Sequence, residues 1–248
     1  VNGRTVLYTG AAGGLGLETT VLLLRRGATV VAIDNDAAKI AQLEAAAASA
    51  GDGRLLVSTA DLSDLAGFRA ELDRLLGDVG RFDVVINNAA IYPSKPFEEF
   101  TIEDHQLVQR VNVDAGIVAV QAALPGMRER GWGRIINISS ITISGCWANL
   151  SPYVASKGAL IGLTRAWARE FGPYGITVNA IAPGAFPTDA EKIHPDPAGY
   201  NRMVLDAQAI KRRGTADDIA AAIAFFAADE ASFITGQTLH VNGGWVMA

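Results

Sequence analysis

The chain has 248 residues, half of them hydrophobic, and a formal net charge of −5 at pH 7. That length suits one α/β domain with a sizeable core, and mild acidity argues against nucleic-acid or anionic-membrane partners. Cys146 is the only cysteine, which excludes an intrachain disulfide and points to a reducing, cytoplasmic compartment, while His105, His194 and His240 are too scattered for a metal site.

In chain order, residues 4–9 form a short apolar run that leads into Gly10-Ala11-Ala12-Gly13-Gly14-Leu15-Gly16. The run starts within a few residues of Val1, so no signal peptide is expected. A helical pattern follows over residues 15–26 and stops at Gly27. Residues 28–33 are β-rich and end on Asp34, and residues 37–50 form an alanine-rich helix closed by Gly51. Residues 54–60 are strand-like and precede Asp61-Leu62-Ser63-Asp64, where Ser63 or Asp64 can cap a helix to about residue 76. A fourth strand over 82–86 ends in Asn87-Asn88-Ala89-Ala90. Residues 102–130 form a long helical region with Pro125 as its expected break. A fifth strand over 133–138 ends in Ser139-Ser140; a helix over 152–171 stops at Gly172-Pro173. A sixth strand covers 176–181, a last helix 216–228 and a last strand 238–241.

Strands alternate with helices throughout, and several strands are almost wholly apolar. The fold class is therefore α/β: a single-domain, Rossmann-type doubly wound parallel sheet over residues 1–248 with helices on both faces. No apolar run approaches the ~20 residues that span a bilayer. The late segment 185–213 is long for a compact domain and is read as a functional or mobile connection.

The stretch Ser151-Pro152-Tyr153-Val154-Ala155-Ser156-Lys157 organises the chemistry. Ser151 can cap a helix that Pro152 begins, and Tyr153 and Lys157 then share one helix face. An ammonium beside a phenol should lower the tyrosine pKa from about 10 toward working pH. An isolated Tyr-x-x-x-Lys is more simply a core tyrosine with a solvated lysine; the rest of the chain tips the balance.

Gly10, Gly14 and Gly16, with Leu15 opening the helix, stand between a first strand and a first helix, where a pyrophosphate can meet backbone amides and a helix N-terminus. Asp34 ends the second strand, where a carboxylate binds ribose hydroxyls and repels a 2′-phosphate. Neither Ala12 nor Asn35 supplies a cation for that phosphate, so NAD is expected rather than NADP. Asp61 can accept from an adenine amino group or cap a helix. Asn88 can let backbone pass close to the cofactor or hold strands together. Ser140 can hold a substrate oxygen. Asn112, among Val111, Val113 and Ile117, is either a satisfied core amide or kink, or the anchor of a water in a proton path.

These residues together make the chain resemble the classical short-chain dehydrogenases/reductases over essentially its whole length. The resemblance rests on Thr9-Gly10-x-x-x-Gly14-x-Gly16, Asp61-Leu62, Asn87-Asn88-Ala89, Asn112, Ser140, Tyr153-x-x-x-Lys157 and Pro183-Gly184-x-x-x-Thr188. Ile234-Thr235-Gly236-Gln237 and Val241-x-Gly243-Gly244 match the family's C-terminal segment. It implies Tyr153 as general acid/base, Lys157 as the cation that lowers its pKa and binds the nicotinamide ribose, and Ser140 as the group that orients the substrate oxygen. It implies Asn112 as holder of a water linking Lys157 to solvent. Leu62, Pro183, Gly184 and Thr188 would be cofactor contacts, residues 185–213 a substrate loop, and the assembly a homotetramer. Ala90, where the family has glycine, and Pro187, just before Thr188, depart from the pattern without removing a catalytic group.

The expected activity is NAD-dependent interconversion of a secondary alcohol and a ketone. Tyr92, Ile141, Cys146, Trp147, Phe186, Tyr200 and Met203 are candidates for the substrate wall, or else plain packing residues. As a set they favour a hydrophobic, cyclic or aromatic substrate, with no cation to grip a carboxylate or phosphate. Residues 88–93 and 231–237 look similar to bacterial aryl-alcohol and pyridoxal-type members. The alternatives are a sugar or polyol dehydrogenase of the same family, which would need more polar side chains in the late segment, and a non-catalytic NAD-binding regulatory protein.

Overall fold

The computed structural model describes residues 1–145 and 147–247. The sheet has seven strands: β1 (Thr5–Thr9), β2 (Thr29–Asp34), β3 (Arg54–Thr59), β4 (Val84–Asn87), β5 (Gly133–Ile138), β6 (Ile176–Pro183) and β7 (Thr238–Val241). They lie in the order β3-β2-β1-β4-β5-β6-β7, every neighbouring pair parallel. The chain leaves β1 toward β3, then crosses back to β4 on the other side of β1. That reversal opens a crevice at the carboxyl ends of β1 and β4, where ligands of such sheets bind.

Alternate residues of each central strand serve opposite faces. Val6 and Tyr8 pack with the helices α1 (Gly16–Arg25), α2 (Ala37–Ala47) and α9 (Ala216–Phe226). Leu7 and Val85 pack with α3 (Leu65–Val79), α5 (Ala115–Arg130) and α7 (Ser151–Phe171). Burial on both faces is why these strands are continuous apolar runs rather than alternating ones. The short helices α4 (Ile102–Gln109), α6 (Thr142–Gly145) and α8 (Pro197–Ala207) sit around the rim with the late segment.

Two local expectations are corrected, and one open choice, between Ser63 and Asp64 as a helix cap, is decided. Pro125 lies inside α5 without ending it; the irregularity comes earlier, as a π turn over Arg110–Asp114 between α4 and α5. Its cause is Asn112, whose side chain bonds outside its own helix. Second, Ser151 is already helical: the cap position of α7 is Leu150, with no side-chain cap bond. Third, the cap of α3 is Asp64, accepting from Gly67 N at 3.0 Å, whereas Asp61 folds onto Ser63.

Candidate active site

The crevice is a cleft of about 560 Å³ along the carboxyl ends of the strands. At one end lies the glycine turn after β1. Gly10 adopts φ +66°, and a Cβ there would come 2.8 Å from Asn88 Nδ2 and 2.9 Å from Ala89 Cα. Only glycine lets the backbone pass this close to β4. A Cβ on Gly16 would strike the carbonyls of Gly10 and Ala11, so Gly16 serves the approach of α1 to the turn and does not itself line the cleft. Gly10, Gly14 and Leu15 do line it.

Whether these residues fit a dinucleotide is decided by the groups left open toward the cleft. The first turn of α1 has no side-chain cap, unlike α2 and α3, which Asp36 and Asp64 cap. Leu17 N already donates to Gly13 O at 3.0 Å, so an anion would be met by the amides that precede Leu17 at this helix start. Asp34 accepts from Ala12 N at 3.0 Å and Asn35 N at 2.9 Å, which fixes its carboxylate at the cleft wall. Asp61 and Leu62 stand beside it, with the Asp61 carboxyl held below its usual range by bonds from Ser63. Pro183, Gly184 and Thr188 line the opposite wall. The fit is good.

Of the two roles expected of Asn88, the structure shows the strand tie. Its Nδ2 donates to Thr9 O at 3.1 Å and Gly10 O at 2.9 Å, tying β1 to β4, and the residue lines the cleft together with Ala89 and Ala90.

At the other end, β5 presents Ser140 and α7 presents Tyr153 and Lys157, all on the cleft wall. A side-chain hydrogen bond joins Ser140 and Tyr153. The Tyr92 ring meets that of Tyr153 edge-on at 6.1 Å. Lys157 is only 2 % exposed; its Nζ donates to Ile138 O at 2.8 Å and lies 5.4 Å from the centre of the Tyr153 ring.

The expected lowering of the tyrosine pKa is not what the protein alone produces. Burial pushes the Tyr153 phenol up to about 12, and only the bond to Ser140 opposes it. Burial also pushes the Lys157 ammonium down to about 7, with no carboxylate beside it to hold its charge. A lysine that loses its charge this readily is a weak electrostatic partner for a phenolate.

Asn112 is not on the cleft wall. It lies one layer behind. Its Oδ1 accepts from Ile91 N at 2.8 Å, and its Nδ2 donates to Ile91 O at 2.9 Å and Ser156 Oγ at 3.0 Å. It is thus a satisfied buried amide at a helix irregularity, bracing the segment that carries Tyr92 against the helix that carries Tyr153.

Of the expected substrate wall, Tyr92, Ile141, Trp147, Phe186 and Tyr200 line the cleft, and Trp147 packs edge-on against Trp245 at 5.3 Å. Met203 is 45 % exposed, on the solvent side of α8, and takes no part. Cys146 lies outside the described residues. The wall is more polar than its sequence implied, because Lys39, Asp189, Glu191 and His194 also reach it. Lys39 Nζ bonds Asp189 Oδ2 at 3.1 Å, which ties α2 to the late segment. Asp189, Glu191 and His194 are close neighbours in the late segment, and Lys39 joins them from α2 only in the folded chain. Among the described residues no cluster of His, Cys, Asp or Glu is placed to hold a metal, and no helix is long and apolar enough to cross a membrane.

A parallel seven-stranded sheet, a glycine turn under an uncapped helix and a Ser140–Tyr153–Lys157 group in one cleft define a nucleotide-binding oxidoreductase. The chain belongs to the short-chain dehydrogenase/reductase family: residues 10–246 match the family described as Enoyl-(Acyl carrier protein) reductase. It is 35 % identical over 253 residues to levodione reductase of Leifsonia aquatica, covering 97 % of this chain and 93 % of that one. It is 32 % identical over 247 residues to the 3-oxoacyl-[acyl-carrier-protein] reductase FabG of Vibrio harveyi, covering 100 % and 99 %. Among solved structures, a levodione reductase superposes with TM-score 0.91 at 33 % identity, over 98 % of this chain and 97 % of the other. YwfH, an NADPH-dependent reductase of bacilysin biosynthesis, superposes with TM-score 0.92 at 28 % identity, over the whole of both chains.

Proposed function

We propose that this protein is an NAD-dependent oxidoreductase that interconverts a secondary alcohol and its ketone, with residues 1–248 acting as one cofactor-binding domain. The observation that carries the reading is one continuous cleft with Asp34 and the glycine turn at one end and Ser140, Tyr153 and Lys157 at the other. The names of two relatives, levodione reductase and 3-oxoacyl-[acyl-carrier-protein] reductase, support a carbonyl as the oxidised partner.

The bound nicotinamide supplies the hydride acceptor for oxidation and the hydride donor for reduction. Everything else falls to the side chains. Ser140 orients the substrate oxygen against Tyr153. Tyr153 holds the proton on its phenolic oxygen, gives it to the carbonyl oxygen in reduction and takes it from the hydroxyl in oxidation. Lys157 holds the cofactor's ribose, where hydroxyls acting as acceptors help it keep its charge. Asn112 keeps the walls in register; the water it would hold in a proton path belongs to the same reading. Gly10, Gly14 and Leu15 cradle the pyrophosphate, Asp34 binds the adenosine ribose, Asp61 and Leu62 flank the adenine, and Pro183, Gly184 and Thr188 face the nicotinamide. The aromatic and aliphatic wall of Tyr92, Ile141, Trp147 and Phe186 supports a hydrophobic, cyclic or aromatic substrate body.

NAD is favoured over NADP because Asp34 would face a 2′-phosphate with like charge, and the nearby Lys39 is already bound to Asp189. A homotetramer accords with exposed apolar side chains such as Phe97 (75 %) and Ile102 (68 %) before and at the start of α4. A cytoplasmic setting accords with a single cysteine.

The test is the absorbance of reduced nicotinamide with NAD and NADP side by side on a panel of secondary alcohols. Turnover with NAD, and a loss of roughly 10²–10⁴-fold in Tyr153→Phe with NAD binding retained, is the expected result. Normal turnover in that variant sinks the mechanism, preference for NADP overturns the role of Asp34, and binding without turnover on any alcohol or ketone favours the regulatory reading.

A further inference from the structure

The late segment contributes a charged group that the proposed reaction does not use. Glu191 lies in the short helical turn Asp189–Ile193, His194 follows it, and Tyr200 stands on α8; all three line the cleft. Behind them stands Arg213. The Glu191 and Arg213 side chains are 20 % and 19 % exposed and form an ion pair. The guanidinium also donates to Asn201 Oδ1 at 3.1 Å and to Ala185 O at 3.4 Å, so it is anchored on several sides. Tyr200 stacks on His194 with ring centres 3.6 Å apart.

The pairing sets the chemistry of this wall. Arg213 engages Oε1 of Glu191, and Oε2 accepts no hydrogen bond from any described residue. A half-buried acceptor of this kind gains from a donor and loses against an alkyl group. An anionic group would bring only acceptors to a carboxylate oxygen that has no proton to donate, and Lys39, the cation that reaches this wall from α2, is bonded to Asp189. An ammonium would meet a carboxylate already neutralised by Arg213. A neutral hydroxyl fits: it can donate to Glu191 and exchange hydrogen bonds with His194 or Tyr200.

We propose that Glu191, held by Arg213 and flanked by His194 and Tyr200, is a specificity residue for a second, neutral hydroxyl of the substrate. The substrate class is then a secondary alcohol with a further hydroxyl, or the matching hydroxyketone. The inference rests on the alcohol/ketone reading above. A site that hydrogen-bonds a hydroxyl discriminates strongly against the analogue without it, because its polar groups are left unpaired.

The experiment compares kcat/KM of the full-length protein on cyclohexanol, the cyclohexanediols, 3-aminocyclohexanol and 3-hydroxycyclohexanecarboxylate, with the preferred nicotinamide cofactor. Wild type should favour at least one diol over cyclohexanol by about tenfold or more. Glu191→Ala should bring that ratio close to one, mainly through KM, with cofactor affinity by fluorescence titration within about twofold of wild type. Glu191→Gln, which keeps an acceptor oxygen, should retain part of the ratio. A merely structural role would lower both substrates together and leave the ratio intact. Equal use of cyclohexanol and diols, preference for the amine or the acid, an unchanged ratio in Glu191→Ala, or a change confined to cofactor affinity each overturns the proposal. Cofactor binding with no turnover of any alcohol instead removes the alcohol/ketone reading, and the subsite with it.

Discussion

Tyr153 and Lys157 show how much a neighbour's charge depends on its own surroundings. Spacing places them on one helix face, and a charged lysine there would lower the phenol pKa. Burial acts on both in the opposite sense: it holds the phenol protonated up to about pH 12 and discharges the amine near pH 7. In reduction Tyr153 gives up a proton it already holds, so ketone reduction should run at neutral pH. Oxidation needs the deprotonated phenol, so kcat/KM for alcohol oxidation should climb steadily into the alkaline range; initial-rate pH profiles in both directions check this. Lys157 has a stability consequence as well. Its folded pKa, about 7, lies below the ordinary 10.5, so the unfolded chain binds more protons between those values and stability rises with pH across that window. Lys157→Met should therefore raise the melting temperature of the cofactor-free protein most below pH 7, with the gain shrinking toward pH 10.5. An equal gain at all pH values would contradict the burial of a titrating amine.

At the scale of elements, the segment from α4 to α5 is the instructive one. Periodicity marks residues 102–130 as helical and Pro125 as the obvious interruption, yet the helix passes Pro125 and loosens into a π turn around Asn112. Proline removes one helical bond, which the rest of α5 tolerates; Asn112 makes three bonds to other segments. Such π turns are frequent at functional sites. Asn112→Ala would leave the N–H and C=O of Ile91 without their shared partner, while Ser156 Oγ would keep its bond to Tyr153 O, at a cost on the order of 2 kcal/mol. Chemical denaturation should show that loss, and turnover should fall with it because Tyr92 and Tyr153 lose their common brace. Asn112→Asp keeps the bond from Ile91 N but opposes two acceptors at Ile91 O, and should do no better.

At the scale of the molecule, the two ends of the sheet have different work. The carboxyl ends carry the cleft, while the amino ends carry a buried carboxylate held by two partly exposed cations. Asp83 is fully buried before β4; its Oδ2 accepts from Thr5 N at 2.9 Å and Arg81 Nε at 3.1 Å, and its Oδ1 faces Arg130 Nη2 at 3.2 Å. It joins β1, β4 and α5. Asp83→Ala would leave the buried Thr5 amide without its acceptor, while the partly exposed Arg81 and Arg130 keep their bonds to Gly3 O and Phe82 O, and should cost about 1–3 kcal/mol in denaturant unfolding. The cleft lies at the other end of the strands, so the KM of the folded fraction should stay near wild type; a large rise in KM would mean that the two ends are coupled.

The residues themselves determined the strand–helix alternation, the doubly wound sheet, the glycine turn and the placement of Ser140, Tyr153 and Lys157 at a common end. All of these follow from local signals: apolar runs set by two-sided burial, glycines where no Cβ fits, and a four-residue helical repeat. Only the tertiary structure decided what surrounds those groups. It set Asn112 behind the wall rather than on it, turned Met203 outward, raised the pKa of Tyr153 and lowered that of Lys157 by burial, and brought Lys39 and Arg213 to the segment that carries Asp189, Glu191 and His194. Desolvation and convergence are sums over neighbours that are far apart in the chain, so no local pattern carries them.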